Sequence, residues 1–141
     1  MHADDLSLYE KVPEQCRDFG VAAPTKPLSK PDAFITDNAV LQWAPSYKVE
    51  CLHCPGHTPG STSYYFPECQ LVCPGDTLFR NSVGRTSWHG IPSLEGTSDQ
   101  QQLLGSIQYK LMNLPVETQV VSGHGPWTSI GEEQQNNPYI M

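Results

Sequence analysis

The sequence predicts a mixed α/β layer arrangement in one domain. Three observations point there. Short runs with strand periodicity outnumber runs with helical periodicity. One helix, from Asp99 to about Met112, carries an apolar stripe that needs a sheet face to bury it. Thirteen Pro and eleven Gly punctuate the chain into short elements. At 141 residues the chain is one domain's worth and long enough to bury a core.

The first twenty residues read as helical. Asp4 or Asp5 can cap, Tyr9, Val12, Cys16 and Phe19 recur at helical spacing, and Gly20 stops the run. Pro13 divides the segment into two short helices. Val21 to Pro31 holds three prolines and reads as an extended loop. Strand candidates follow at Ala33–Ile35, Val40–Trp43 and Tyr47–Cys54. In the last run Val49, Cys51 and His53 share one face, with Lys48 and Glu50 on the other. Ser63–Phe66 and Gln70–Cys73 flank Pro67-Glu68 as a hairpin. The Asp99–Met112 helix has Ser98 as its expected N-cap and Gln101 at the capping-box position. Leu103, Leu104, Ile107 and Leu111 form its stripe, and Pro115 follows its end. Val116–Ser122 reads as a strand running into a Gly-rich turn. The tail from Gly131 to Met141 is polar.

Charge excludes two partner classes. Eight Lys+Arg against fifteen Asp+Glu give a formal charge of −7. Such a chain lacks the basic footprint that nucleic acid or an anionic membrane surface demands. No apolar run approaches the roughly 20 residues of a membrane span. The acidic start, Met1-His2-Ala3-Asp4-Asp5, does not read as a targeting peptide. Five cysteines, an odd count, read as reduced thiols of a cytoplasmic or mitochondrial-matrix protein. Cys51 and Cys54 form a C-x-x-C without a second pair, and read as packed thiols on a strand. Trp43, Trp88 and Trp127 are expected to fill core or rim.

Three segments share one design: a strand, a glycine, then a metal-capable side chain. They are Cys54-Pro55-Gly56-His57-Thr58-Pro59-Gly60-Ser61, Cys73-Pro74-Gly75-Asp76-Thr77 and Ser122-Gly123-His124-Gly125-Pro126. Each places its His or Asp where a strand gives way to a loop, and the glycine permits close backbone approach. Ligands so far apart in sequence converge only if the strand ends cluster on one edge. Two imidazoles and a carboxylate suit zinc, iron or manganese, and not calcium or magnesium. Singly, each segment is an ordinary turn. Three of them in a chain with five His weaken that reading and make a shared metal origin plausible.

These segments resemble the C-terminal half of the metallo-β-lactamase superfamily, and most closely its glyoxalase II-like (hydroxyacylglutathione hydrolase-like) proteins. The resemblance rests on Gly-His-Thr-Pro-Gly-Ser at 56–61, Gly75-Asp76-Thr77-Leu78-Phe79, Gly84-Arg85-Thr86 and Gly123-His124-Gly125-Pro126, in order. Gly131-Glu132-Glu133 with Asn137-Pro138-Tyr139 is similar to the end of the short members. The family's fold is a four-layer αββα sandwich. Its first metal motif, His-x-His-x-Asp-His, does not occur in this sequence. Residues 1–141 are therefore expected to form a single, N-terminally truncated domain, mostly the second sheet with its covering helix.

The resemblance implies that His57 serves a first metal, Asp76 bridges two, and His124 serves the second. The complete family site holds two ions, zinc or else iron or manganese; zero or one is expected on this chain. It implies a metal-bound hydroxide that attacks a thioester such as an S-acylglutathione, with Asp76 as the catalytic carboxylate and Arg85 as a substrate contact. A structural salt bridge from Arg85 is weighed equally. His53 is expected to pack or face solvent rather than ligate, and His89 to sit exposed in a loop. Half the ligands being absent, the isolated chain is expected to be impaired. The alternatives are a non-catalytic remnant that binds or self-assembles, and a persulfide dioxygenase-like enzyme with one iron. Uncovered apolar faces predict a homo-oligomer or a complementing chain.

Overall fold

The computed structural model describes residues 1–140. A 3₁₀ turn, Ala3–Asp5, leads into α1 (Leu6–Glu10) and α2 (Val12–Asp18). The strands are β1 (Val40–Ala44), β2 (Tyr47–His53), β3 (Thr62–Phe66), β4 (Leu71–Gly75), β5 (Leu78–Phe79), β6 (Ser82–Val83), β7 (Gln119–Ser122) and β8 (Thr128–Ser129). Helix α3 (Gln100–Ser106) continues through a π turn, Ile107–Leu111, and α4 spans Ile130–Asn136.

Six strands form one sheet in the order β1-β2-β3-β4-β7-β8, and β5 and β6 form a separate hairpin. Neighbours run antiparallel except β4 and β7, which are parallel. This alternation sets the site. β2, β4 and β7 all point the same way, so their C-terminal ends share one edge.

Helix α3 covers one face. Leu103, Ile107 and Leu111 are fully buried and pack with Leu52, Tyr65, Val72 and Val120 from the sheet. The period-2 alternation of β3 and β4 puts Tyr64, Phe66, Leu71 and Cys73 on the opposite face, where they are half-buried. β1 is an edge strand, with Val40, Leu41 and Trp43 exposed.

Several local expectations are corrected. Pro13 does divide the N-terminal helix, but its buried residue is Leu8, while Phe19 is exposed. Ala33–Ile35 contributes only a parallel bridge from Ile35 to His2. The cap of α3 is Asp99, whose side chain accepts from the Gln102 amide at 2.8 Å. Ser98 is occupied elsewhere. The polar tail forms α4, capped by Ser129, whose hydroxyl accepts from the Glu132 amide. The Ser129-x-x-Glu132 spacing carried that signal. Trp43 and Trp127 are exposed rather than core. The β3–β4 hairpin forms as expected, turning through Pro67–Cys69 with Gln70 at φ 48°.

Candidate metal centre

Strand register brings two of the three segments together. Gly75 of β4 pairs with Ser122 of β7, and the Gly123 amide donates to the Gly75 carbonyl at 2.9 Å. Asp76 and His124 therefore leave adjacent strand ends side by side. Gly123 presses on the Asp76 carboxylate, and a Cβ there would collide with its Oδ1. Only glycine allows this approach.

The His57 loop is held from two sides. From the helix side, the Ser98 hydroxyl donates to the His57 carbonyl at 2.6 Å and accepts from Trp88 Nε1. Ser106 donates to the Pro55 carbonyl, and Gly56, at φ 139°, lies against the Leu103 backbone of α3. From the other side, Asp5 accepts from Thr58 Oγ1 at 2.8 Å and from the Gly60 amide at 2.7 Å. Asp5 thus clamps the ligand loop instead of capping a helix.

The result is one carboxylate oxygen flanked by two imidazoles. Asp76 Oδ2 lies 3.8 Å from His57 Nε2 and 3.6 Å from His124 Nε2. Ligand atoms about 2.1 Å from a common ion stand about 3–4 Å apart, so each His–Asp pair fits a shared divalent metal. The trio does not close to within 4.8 Å all round, which leaves each histidine on its own side of the oxygen. His57 Nδ1 lies 2.7 Å from the Arg85 carbonyl. A carbonyl can only accept, so Nδ1 carries the proton and the Nε2 lone pair is left for a metal. Side-chain exposure rises from 16% at His57 to 35% at Asp76 and 74% at His124. The exposed His124 ring stacks on Phe79, centroids 4.4 Å apart.

His57, Asp76 and His124 line a cavity of about 330 Å³ with Phe79, Arg85 and Trp88. A larger cavity, about 480 Å³ between Tyr9 and Phe34, contains none of them. The Arg85 guanidinium sits over the Trp88 ring at 5.3 Å, and among the described residues it forms no salt bridge. Its carbonyl, not its charge, reaches the ligand set. His89 is exposed and does not line the cavity.

A model of the metallo-β-lactamase superfamily matches residues 48–124, which contain His57, Asp76 and His124. The chain belongs to the metallo-β-lactamase superfamily. It is 40% identical over 121 residues to a probable metallo-hydrolase of Bacillus subtilis, covering 86% of this chain and 52% of that protein. It is 32% identical over 136 residues to the hydroxyacylglutathione hydrolase GloC of Haemophilus influenzae, covering 96% and 60%. The crystal structure of TTHA1623 in a di-iron-bound form superposes with a TM-score of 0.82 at 37% identity, over 99% of this chain and 63% of that one. The chain therefore spans about half to two thirds of the length of these superfamily members, and its sheet and helices are that portion of their fold.

One cluster escaped the sequence reading. Among the described residues, His2, Asp4 and His53 are the one group of three potential ligands whose atoms lie within 4.8 Å of one another. Two observations make it structural. The His2 and His53 rings stack at 3.9 Å and 10°, so their in-plane lone pairs do not converge. His53 Nε2 is also committed to the Pro59 carbonyl at 2.8 Å. The expectation that His53 packs rather than ligates matches this geometry. No helix among the described residues is long and apolar enough to cross a membrane.

Proposed function

We propose that this chain supplies half of a glyoxalase II-type metal centre, and that the reaction is hydrolysis of a thioester such as an S-acylglutathione. The observation that carries the proposal is the Asp76 oxygen flanked by His57 and His124 at the shared edge of three strands. A bound divalent metal, zinc or iron, would lower the pKa of a water toward neutrality and polarise the thioester carbonyl. The chain's own residues would do the rest. His57, Asp76 and His124 would hold the ion. The Arg85 carbonyl fixes the His57 tautomer. The Arg85 guanidinium, spread over Trp88, faces the cavity and can pair with an anionic end of the substrate. No Ser or Cys nucleophile is required. The remaining ligands would come from residues outside this stretch of sequence, preceding it in the same protein or on a complementing chain, and those residues would also cover the open sheet face.

The test begins with ion counting. The chain is equilibrated separately with zinc and with iron, dialysed, and analysed for ions per chain. At most one ion is expected. Asp76→Ala and His124→Ala should each remove most of the affinity, while His89→Ala changes little. Adding the N-terminal portion of the Haemophilus relative, produced separately, should restore metal-dependent S-acylglutathione hydrolysis. Equal losses for all three variants would overturn the ligand assignment. Metal uptake without thioester hydrolysis in the reconstituted complex would overturn the reaction. No uptake in any combination would leave a binding or assembly module. A second reading, persulfide oxidation at one iron, draws support from the likeness to the crystal structure of ETHE1 from Myxococcus xanthus, which superposes with a TM-score of 0.67 at 28% identity over 82% of this chain. Oxygen consumption with an alkyl persulfide, in the iron-loaded complex only, would select it.

A further inference from the structure

The last helix reaches the β5–β6 hairpin beside the candidate metal site. Glu133 on α4 and Asn137 just beyond it are fully buried. A buried carboxylate costs several kcal/mol unless hydrogen bonds compensate it. Glu133 has three donors: Thr128 Oγ1 at 2.6 Å, the Asn81 amide at 2.8 Å and Asn137 Nδ2 at 2.8 Å. Asn137 Nδ2 also donates to the Ser82 carbonyl at 3.1 Å, and Asn137 Oδ1 accepts from the Tyr139 amide at 3.0 Å. An apolar pair could fill this space, but it could not bind a turn's amide and carbonyl.

Both of the distant contacts land on the β5–β6 hairpin, one on its turn at Asn81 and one on the first residue of β6, Ser82. That turn carries Asn81 at φ 55°. A hairpin of two two-residue strands cannot hold itself in water. Its base is tied by Ser122, which donates to the Leu78 carbonyl at 2.6 Å. Its tip is tied by Glu133 and Asn137. Between them stands Phe79, whose ring stacks on His124 at 29°. His124 is the most exposed of the three ligands, and its neighbours are Phe79 and the Asp76 carboxylate.

We infer that Glu133 and Asn137 are positioning residues: they pin the β5–β6 hairpin and, through Phe79, aim the His124 imidazole at the Asp76 oxygen. Removing either should let the hairpin drift and the stack open. Outer partners of metal ligands commonly change affinity by about 10-fold or more. The metal consequence rests on the proposed role of His124; the positioning itself does not.

The experiment is NMR of the metal-free 141-residue chain. The His124 ring C–H signals are identified by their loss in His124→Asn. Stacking on Phe79 should displace them upfield, and Phe79→Leu should abolish the displacement. Asn137→Ala should move the signals most of the way to the Phe79→Leu position, leaving the methyl signals of Leu103 and Ile107 in place. Glu133→Ala should do the same. Glu133→Gln should stay near wild type. Its amide oxygen can accept from Asn81 and Asn137 while its NH2 turns to the Thr128 hydroxyl. If Glu133→Ala does not fold, Asn137→Ala and Glu133→Gln decide. Unmoved His124 signals in Asn137→Ala, or in Phe79→Leu itself, overturn the inference. Zinc titration of the same proteins should show about 10-fold weaker binding for Asn137→Ala. If the signals move as expected but wild type takes up no zinc, the positioning stands and the metal reading falls.

Discussion

Cys51 and Cys54 have redox spacing but not a redox environment. Both are fully buried, and Ser63 donates to Cys54 Sγ at 3.3 Å. Burial pushes both thiols up from their ordinary range, and at Cys54 it outweighs the Ser63 hydrogen bond. Thiolate is the reactive form, so both should resist thiol reagents. Cys69 is exposed. At neutral pH, a disulfide-exchange reagent should modify Cys69 quickly and reach Cys51 and Cys54 only after denaturation. Equal rates at Cys54 and Cys69 would contradict this burial. Ser98 teaches a second lesson at this scale. It is the better capping residue by pattern, yet Asp99 caps, because the Ser98 hydroxyl is spent on the His57 carbonyl.

At the scale of elements, α3 is tied to the sheet by more than its stripe. Lys110, in the π turn, reaches Asp37 at 2.6 Å, and Asp37 also accepts from the His53 amide at 2.9 Å. Burial pushes the Asp37 carboxyl up, but the Lys110 ammonium and the amide outweigh it and hold it below the ordinary value. A carboxyl lowered by folding adds stability above its unfolded pKa, about 3.9, and loses it as pH falls through the folded value. Lys110→Met should therefore cost about 0.5 kcal/mol at pH 7, as expected for a pair whose side chains are 31% and 36% exposed. The cost should shrink as the pH is lowered from 5 toward 2. Urea midpoints across that range check it, and a cost independent of pH would refute the pairing. The π turn itself has a visible use: the Met112 amide bonds to the Ile107 carbonyl, and Ile107, Leu111 and Met112 all bury.

For the whole molecule, the uncovered side dominates. One sheet face is sealed by α3. The other presents Tyr64, Phe66, Leu71 and Cys73 only half-buried, beside an open β1 edge with Trp43 70% exposed. Edges and apolar faces of this kind recruit another chain. The isolated chain should self-associate at micromolar concentration by analytical ultracentrifugation. A double substitution Leu41→Lys, Trp43→Lys should shift it toward monomer, because charge on an edge strand blocks pairing. A monodisperse wild-type monomer would contradict this.

The sequence by itself determined the class and singled out the candidate ligands. His57, Asp76 and His124 each follow a glycine at a strand end, and that local grammar is readable without coordinates. The α3 stripe and the β3–β4 hairpin were equally legible, because period and turn chemistry are properties of neighbouring residues. Only the tertiary structure decided who holds the ligands in place. Asp5 meets Thr58 across 53 residues, and Glu133 meets Asn81 across 52. The Arg85 carbonyl meets His57 across 28. Such contacts leave no periodic trace, and two of them are made on one side by a backbone atom, the Asn81 amide and the Arg85 carbonyl, which do not depend on the side chain. The packing that brings the ends of β2, β4 and β7 to one edge selects these partners, and no local pattern encodes them.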